Sequence, residues 1–287
     1  MEPKLGKEIG RAHGARHYYF LSTAFTLLTL VSASAQAAAS DLQNQTLAAW
    51  DSCIRSTWSR SELRTNQSPF LRITGLPEMR RRVRAGETFV WRPSDGHADK
   101  VPHGLIHDWM GAVFIPRATV ADVLAVTRDY ARYPEIYKPA VIDANAQSSD
   151  GNDDKFSMLL MQKVLFVTAA IKGEYETRYV QLNAKQWYSI SQSTRLQAIE
   201  KFGQPDMRVL PPDQGPGYIW RLYTITKFEE SDGGVYIELE ALGLSRDVPV
   251  MFRWLVNPIV EHLPRNSVHA TLEETRNAVL ARINGED

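Results

Sequence analysis

Residues 236–260, YIELEALGLSRDVPVMFRWLVNPIV, alternate like a strand in their first half and are spaced like a helix in their second. Only a few residues separate the two periods, so the sheet that holds the strand has a long helix leaving directly from it. Upstream, strand-like runs fall at about 138–148, 155–167, 169–182, 186–200, 217–230 and 234–246. Hairpin signals stand between them at Asp150-Gly151-Asn152, Asn183-Ala184 and Asp232-Gly233-Gly234. Downstream, the helical spacing runs from about Pro249 to Ile283, with kinks expected at Pro258 and Pro264. Asp247 is placed to cap its start. Six antiparallel strands in series twist and curl, and the apolar side of the curl must be covered. The terminal helix is the segment long enough to cover it. The fold class is therefore α+β, a curved antiparallel sheet wrapped around a long C-terminal helix.

Before the meander, 104–116 (GLIHDWMGAVFIP) is a strand ended by Pro116. The next segment, 117–137, puts Val120, Val123, Leu124, Val126 and Tyr130 on one helical face, with Thr119 as N-cap and Asp122 three residues on. That helix is expected to stop near Tyr133, because Pro134 follows. Further upstream, Leu47, Trp50, Ile54 and Trp58 have helical spacing within 41–63. Cys53, the one cysteine, falls between the two tryptophans and is expected to be buried. Residues 64–103 show no period, and Arg72, Arg80, Arg81, Arg82 and Arg84 give them a positive bias. A solvated surface or linker accounts for that bias, and peripheral contact with anionic lipid headgroups is the sharper reading.

The first 37 residues read differently. Lys4, Lys7, Arg11 and Arg16 precede an uncharged apolar run, Tyr18–Val31, and small-residue patterns follow at Ala33-Ser34-Ala35 and Ala35-Gln36-Ala37. A basic stretch, a short apolar core and an A-x-A site make a secretory signal peptide, and the expectation is an exported protein, periplasmic or secreted. The alternative is an uncleaved anchor in the inner membrane, since Tyr18–Ser40 carries no charge. The division expected is 1–37 signal or anchor, 38–103 N-terminal helix and irregular extension, and 104–287 one domain. With 33 Lys+Arg against 33 Asp+Glu, nothing in the charge points to nucleic acid as a partner.

Three stretches together resemble a known family. They are GAVFIPRATVADVLAVTRDYARYPEIYKPAV, GYIWRLYTITKFEESDGGVYIELEALGLSRDVP and the helix that follows. The arrangement resembles the helix-grip fold of the START-like (SRPBCC) superfamily over about residues 104–283. That group includes lipid-transfer domains, pollen-allergen-like proteins, polyketide cyclases and coenzyme Q-binding proteins. The resemblance implies a cavity between sheet and terminal helix for an apolar small molecule. It leaves binder and enzyme open, because one frame hosts both.

Alternation names the side chains that would line such a cavity. Charges are taken to mark the wet side. Trp220, Leu222, Thr224 and Thr226 then point inward against Arg221, Tyr223 and Lys227; Val235, Ile237, Leu239 and Ala241 against Tyr236, Glu238 and Glu240. Ile171, Tyr175, Thr177 and Tyr179 are likewise inward, and on 186–200 the inward set is Tyr188, Ile190, Gln192 and Thr194. The ligand-binding candidates are Tyr175, Thr177, Tyr179, Tyr188, Ile190, Gln192, Trp220, Leu222, Thr224, Ile237 and Leu239. Aromatics and aliphatics with scattered hydroxyls suit a ligand with a large apolar body and one polar group.

No catalytic residue, metal ligand or cofactor is assigned. His97, His103 and His107 cluster with Asp99 and Asp108, and strand geometry puts His103 and His107 on one side, yet no further ligand set accompanies them. Walker, G-x-S-x-G and dinucleotide-binding glycine patterns are missing. The leading expectation is non-catalytic binding or transport of a lipid-like or polycyclic molecule. A polyketide cyclase/aromatase-like enzyme is the alternative, signalled by a buried acid, base or arginine in the cavity. A third reading is an interaction module displaying Trp50 and Trp58.

Overall fold

Strand periodicity in the second half of the chain produces one continuous antiparallel sheet. The computed structural model describes residues 42–65, 69–93, 99–164, 167–214, 219–247 and 253–285, without the side chains of 163, 164, 167 and 253–262. The expected signal or anchor segment, His97 and Pro249 lie outside the described residues. Residues from Ser40 onward make one compact unit.

The elements in order are α1 (Asn44–Thr65), a 3-10 turn (Arg72–Gly75), α2 (Pro77–Arg84), β1 (Phe89–Trp91), β2 (Asp99–Val101), β3 (Gly104–Pro116) and α3 (Val120–Thr127). Then come a 3-10 turn (Tyr130–Arg132), α4 (Tyr133–Ile136), β4 (Val141–Asp150), β5 (Asp153–Val164), β6 (Val167–Gln181) and β7 (Gln186–Glu200). Last are β8 (Arg208–Val209), β9 (Ile219–Ser231), β10 (Gly234–Arg246) and α5 (Arg253–Asn284). The sheet order is β1-β3-β10-β9-β7-β6-β5-β4, with β2 and β8 added beside β3 and β7. All the ladders pair antiparallel, and β10 pairs β3 from Gly234↔Pro116 to Arg246↔Gly104 without a shift. One long terminal helix laid on one face of this sheet is the helix-grip arrangement.

Helix α5 packs mainly on β3, with further contacts to β1, β10, α3 and α4. Its Val268, Leu272 and Val279 close a core with Val113, Ile115, Phe228, Val235, Ile237 and Leu239. Approach is close at Gly111, where an added Cβ would lie 2.6 Å from Leu272 Cδ1 and 2.7 Å from Val268 Cγ1. Only glycine lets the helix sit on the β3 backbone there. We call this face inner and the opposite one outer.

Two local expectations change. Segment 117–137 is not one helix. Thr119 and Asp122 form a reciprocal capping box at the start of α3, but α3 ends at Thr127. Pro134 then sits in the first turn of α4, where its missing N–H costs nothing, so it starts a helix instead of stopping one. The segment read as an irregular extension contains α2, β1 and β2, and Phe70, Leu71, Ile73 and Val83 pack on Ala112, Phe114 and Tyr236 of the outer face. Its arginines are engaged: Arg80 with Asp232 at 3.1 Å, Arg81 with Glu78 at 2.7 Å and Arg82 with Glu87. The described part of α5 begins at Arg253, residues 248–252 before it lie outside the described residues, and the Asp247 N–H bonds His103 O and prolongs the ladder.

Candidate functional site

The inner face divides into two parts. Under the described side chains of α5 it is solid: Ile237 and Leu239 are 2% and 7% exposed and belong to the core just described. These two candidates hold the helix. The part built by β5, β6, β7 and β9 is less covered. Met158, Ile171, Ser191, Leu222, Thr224 and Thr226 on that floor stay half-buried. Register puts Tyr175, Thr177 and Tyr179 opposite Ser193, Ser191 and Ser189, and Thr224 and Thr226 opposite Ser191 and Ser189. Five candidates are therefore brought together: Tyr175, Thr177, Tyr179, Leu222 and Thr224.

Two hydrogen bonds tie polar groups of this floor together. Thr177 Oγ1 donates to Ser191 Oγ at 2.8 Å, and Ser193 Oγ accepts from Leu222 N at 2.9 Å. One end is an aromatic wall, with Tyr130 stacked on Phe156 at 4.1 Å and Phe156 on Tyr175 at 5.2 Å. The Tyr175 ring lies back over Gly173, and its buried hydroxyl has no partner. Burial raises its pKa, so it stays a neutral donor. Tyr179 is less available, since its hydroxyl donates to Thr127 O at 3.1 Å. Beside it, Asp154 accepts from Arg128 at 2.8 Å, Ser149 at 2.6 Å and Tyr130 at 2.9 Å. Burial pushes its carboxyl up, but these bonds more than offset that and hold it below the ordinary range.

Four candidates are not on this floor. Tyr188, Ile190 and Gln192 point to the outer face, because a bulge at Thr194 reverses the parity of β7 between Arg195 and Ser193. Its serines face in, Tyr188 packs on Trp58 at 5.8 Å, Ile190 joins the cluster around Trp50, and Gln192 is exposed. Trp220 is displaced by a bulge: Leu244 pairs Arg221 and Ser245 pairs Ile219, so the residue between is extra and alternation breaks. It packs with Trp50, Ile106, Leu242 and Leu244 on the outer face. Trp50 is only 4% exposed, so the tryptophans of α1 anchor that helix to the sheet and are not displayed to a partner. Cys53 lies half-buried at the rim of the same cluster.

The outer face was expected to be wet, and it carries the largest discrepancy. Lys227, Glu238 and Glu240 are 3%, 3% and 4% exposed beneath α1 and the Arg72–Gly75 turn. Glu238 Oε1 and Oε2 accept the backbone N–H groups of Arg72 and Ile73, each at 3.0 Å, while Lys227 Nζ donates to Ser61 O at 3.1 Å and Phe70 O at 3.3 Å. Arg60 Nη2 stands 3.9 Å from Asp108 and 3.8 Å from Glu240, and Arg64 Nη2 stands 3.9 Å from Glu240. Burial, then the Glu240 carboxylate, pushes Asp108 up to about 7 against the pull of Arg60. Burial, with the Arg64 charge nearby, pushes Lys227 down to about 8 against the pull of Glu238 and Glu240. A small cavity among Ser61, Arg64, Met110, Ile225, Lys227, Glu238 and Glu240 has room for about one water.

His107 was overlooked as an inner-face group. It pairs with Gly243 on β10 and shares the inner parity of Trp109 and Gly111. His103, by contrast, sits exposed in the β2–β3 turn with φ 59°, so the two histidines do not face one side. Alternation from Gly111 alone could have placed His107 inside. Its Nε2 is 2.8 Å from Ser245 Oγ. Burial, with the Arg92 guanidinium beside it, pushes the imidazole down to about 4, so it is neutral at physiological pH. Among the described residues no group of three or more His, Cys, Asp or Glu is placed to hold a metal, and no helix is long and apolar enough to cross a membrane.

Solved structures similar to this chain include the STAR-related lipid transfer protein of Xanthomonas axonopodis, at 15% identity and TM-score 0.43, covering 67% of this chain and 98% of that one. Another is the Zhui aromatase/cyclase from a Streptomyces species, at 10% identity and TM-score 0.41, covering 62% and 96%. Both kinds of protein are among those the sequence resemblance names. At these identities and TM-scores they say nothing of ligand or activity. No protein-family model matches the sequence, and no curated protein matches it significantly.

Proposed function

We propose that the chain binds an apolar small molecule on the inner face of β5, β6, β7 and β9, beside the part of that face that α5 covers. One observation carries this reading. Under Val268 and Leu272 the inner face is fully packed, whereas Leu222, Met158 and Ile171 on the adjoining floor remain half-buried. Apolar floor left uncovered forfeits burial energy that a greasy guest recovers. Burying some 300 Å² of ligand surface contributes roughly 7 kcal/mol before ordering costs, at about 25 cal/mol/Å². Hydroxyls that bond one another along the floor keep its wetting cost low without fixing a charged ligand.

Carrier chemistry is favoured over cyclase-type catalysis. Asp154 is held by Arg128, and His107 is too weak a base near neutral pH to take a proton efficiently. Native mass spectrometry of the purified protein, followed by organic extraction, tests the proposal. A co-purifying or added apolar molecule is expected. A protein that retains none, and takes up none when offered a panel of lipids and polycyclic compounds, overturns it. We infer also, from the basic-apolar-small pattern of residues 1–37, that the chain is exported; N-terminal sequencing of envelope material that begins at Met1 would count against cleavage.

A further inference from the structure

Two polar groups on the inner face of β3 are buried without a use. His107 and Trp109 occupy successive inner positions, about 7 Å apart along the strand, and are 5% and 8% exposed, Trp109 where the core that α5 closes meets the His107 corner. Trp109 Nε1 and His107 Nδ1 have no hydrogen-bond partner. Buried donors without partners each cost on the order of 1–3 kcal/mol, so an orphan pair on one face calls for an explanation. The indole N–H can only donate. The imidazole is neutral, and its tautomer follows from Ser245. That hydroxyl has two acceptors in reach, His107 Nε2 at 2.8 Å and Arg246 O at 3.3 Å. Given to the nearer one, its proton leaves Nε2 as acceptor and puts the imidazole hydrogen on Nδ1. Both orphans are then N–H donors. Arg92 stacks its guanidinium on the Trp109 ring at 4.3 Å and adds positive potential to the same corner.

The neighbouring floor is only half-buried at Gly243. Gly243 lies directly across from His107 on β10 and across from Leu222 on β9. A Cβ built on it meets, among the described residues, Leu222 Cδ2 at an ordinary 3.7 Å. At Gly111, the next inner position after Trp109, the same operation collides with α5. The groove floor at Leu222 is thus continuous with the His107 corner. We propose that His107 and Trp109 form the polar anchor of the groove, donating two N–H bonds to a carboxyl or carbonyl oxygen at the end of an otherwise apolar ligand. This rests on the groove reading above, and sharpens it from any greasy molecule to one with a terminal oxygen acceptor.

The test uses three probes of matched length, decanoic acid, methyl decanoate and decane, with binding read by native mass spectrometry on the intact protein and on Trp109→Phe. That variant removes the donor and keeps the aromatic body. The expected result is a roughly tenfold loss of affinity for the oxygen-bearing probes with little change for decane. Comparing acid with ester separates an anionic from a neutral oxygen. His107→Phe is read in the same way should Trp109→Phe not fold. If decane binds and the ratio of oxygen-bearing to plain probe is the same in both proteins, the anchor is wrong while the groove stands, as when a buried water serves the two donors. If no probe binds, decane included, groove and anchor fall together.

Discussion

Replacing Asp108 by Asn should change how the stability of this protein depends on pH. Asp108 sits on the outer face with its side chain 12% exposed, and its Oδ1 makes no hydrogen bond. The charged groups facing it are Glu240 on β10, Arg60 on α1, Asp99 on β2 and Arg72 in the 3-10 turn. Neither of its nearest cations closes a direct bond, since Arg60 stands off at 3.9 Å. Burial and Glu240 therefore win, and the carboxyl holds its proton up to about pH 7, from an ordinary value of 3.8. In the unfolded chain the group ionises near pH 4, so between these values the folded protein binds the extra proton. Stability from this group is complete below about pH 4 and is lost as pH rises toward 7. A shift of about three units sets a ceiling of about 4 kcal/mol.

Asparagine keeps the shape and has no proton to lose. Urea unfolding followed by tryptophan fluorescence at about pH 5 and about pH 8 isolates the effect, because the other shifted groups are common to both proteins. His107, held down to about 4, works in the opposite direction, losing stability as pH falls from 6.5 toward 4. The difference between wild type and D108N should move by about 2–3 kcal/mol in favour of the variant at the higher pH, since about two of the three units lie between pH 5 and 7. A difference constant within about 1 kcal/mol across that range would refute the burial argument.

Glu238→Ala should lower stability by about 2–4 kcal/mol, seen as a fall in Tm, because it strands the Arg72 and Ile73 N–H groups and leaves Lys227 without its buried counter-charge. Gly173→Ala should cost about 1–3 kcal/mol and alter the near-UV circular dichroism, since the new Cβ would lie 2.5 Å from the Tyr175 ring that stacks on Phe156; an unperturbed aromatic spectrum would show that the ring does not lie across the glycine.

The period of every long strand could be read from the sequence, and so could the helix that follows β10, because both are local. Strand β7 was placed at its observed limits, 186–200, and still assigned to the wrong face. Alternation says that Tyr188 and Ile190 oppose Ser189 and Ser191; it does not say which set is covered. Arg195 does mark the outer side, but a bulge at Thr194 reverses the parity beyond it, so the serines face in. On β9 and β10 charges do not mark solvent, because the segment before β3 folds back over the outer face and supplies what buried charge requires. Glu238 receives two backbone N–H groups from residues more than 160 positions away, and Lys227 is held by carbonyls equally remote. Nothing local to YIELEALGL announces those partners. A second clue was present all the same. Tyr236, Leu242 and Leu244 share the parity of Glu238 and Glu240, and all five are buried. Apolar and acidic residues mixed on one face of a strand mean a covered face with polar partners, since a solvated face has no use for the leucines. Trp220 was beyond reach for the same reason as the β7 face, because a single bulge shifts parity without leaving a trace in composition. A sheet buried on both sides also changes what the inner face is free to do. With α1 and α2 holding the outer face, the Val268–Val279 half of α5 can hold its own share of the inner one, and the floor around Leu222 need not be filled for the fold to stand.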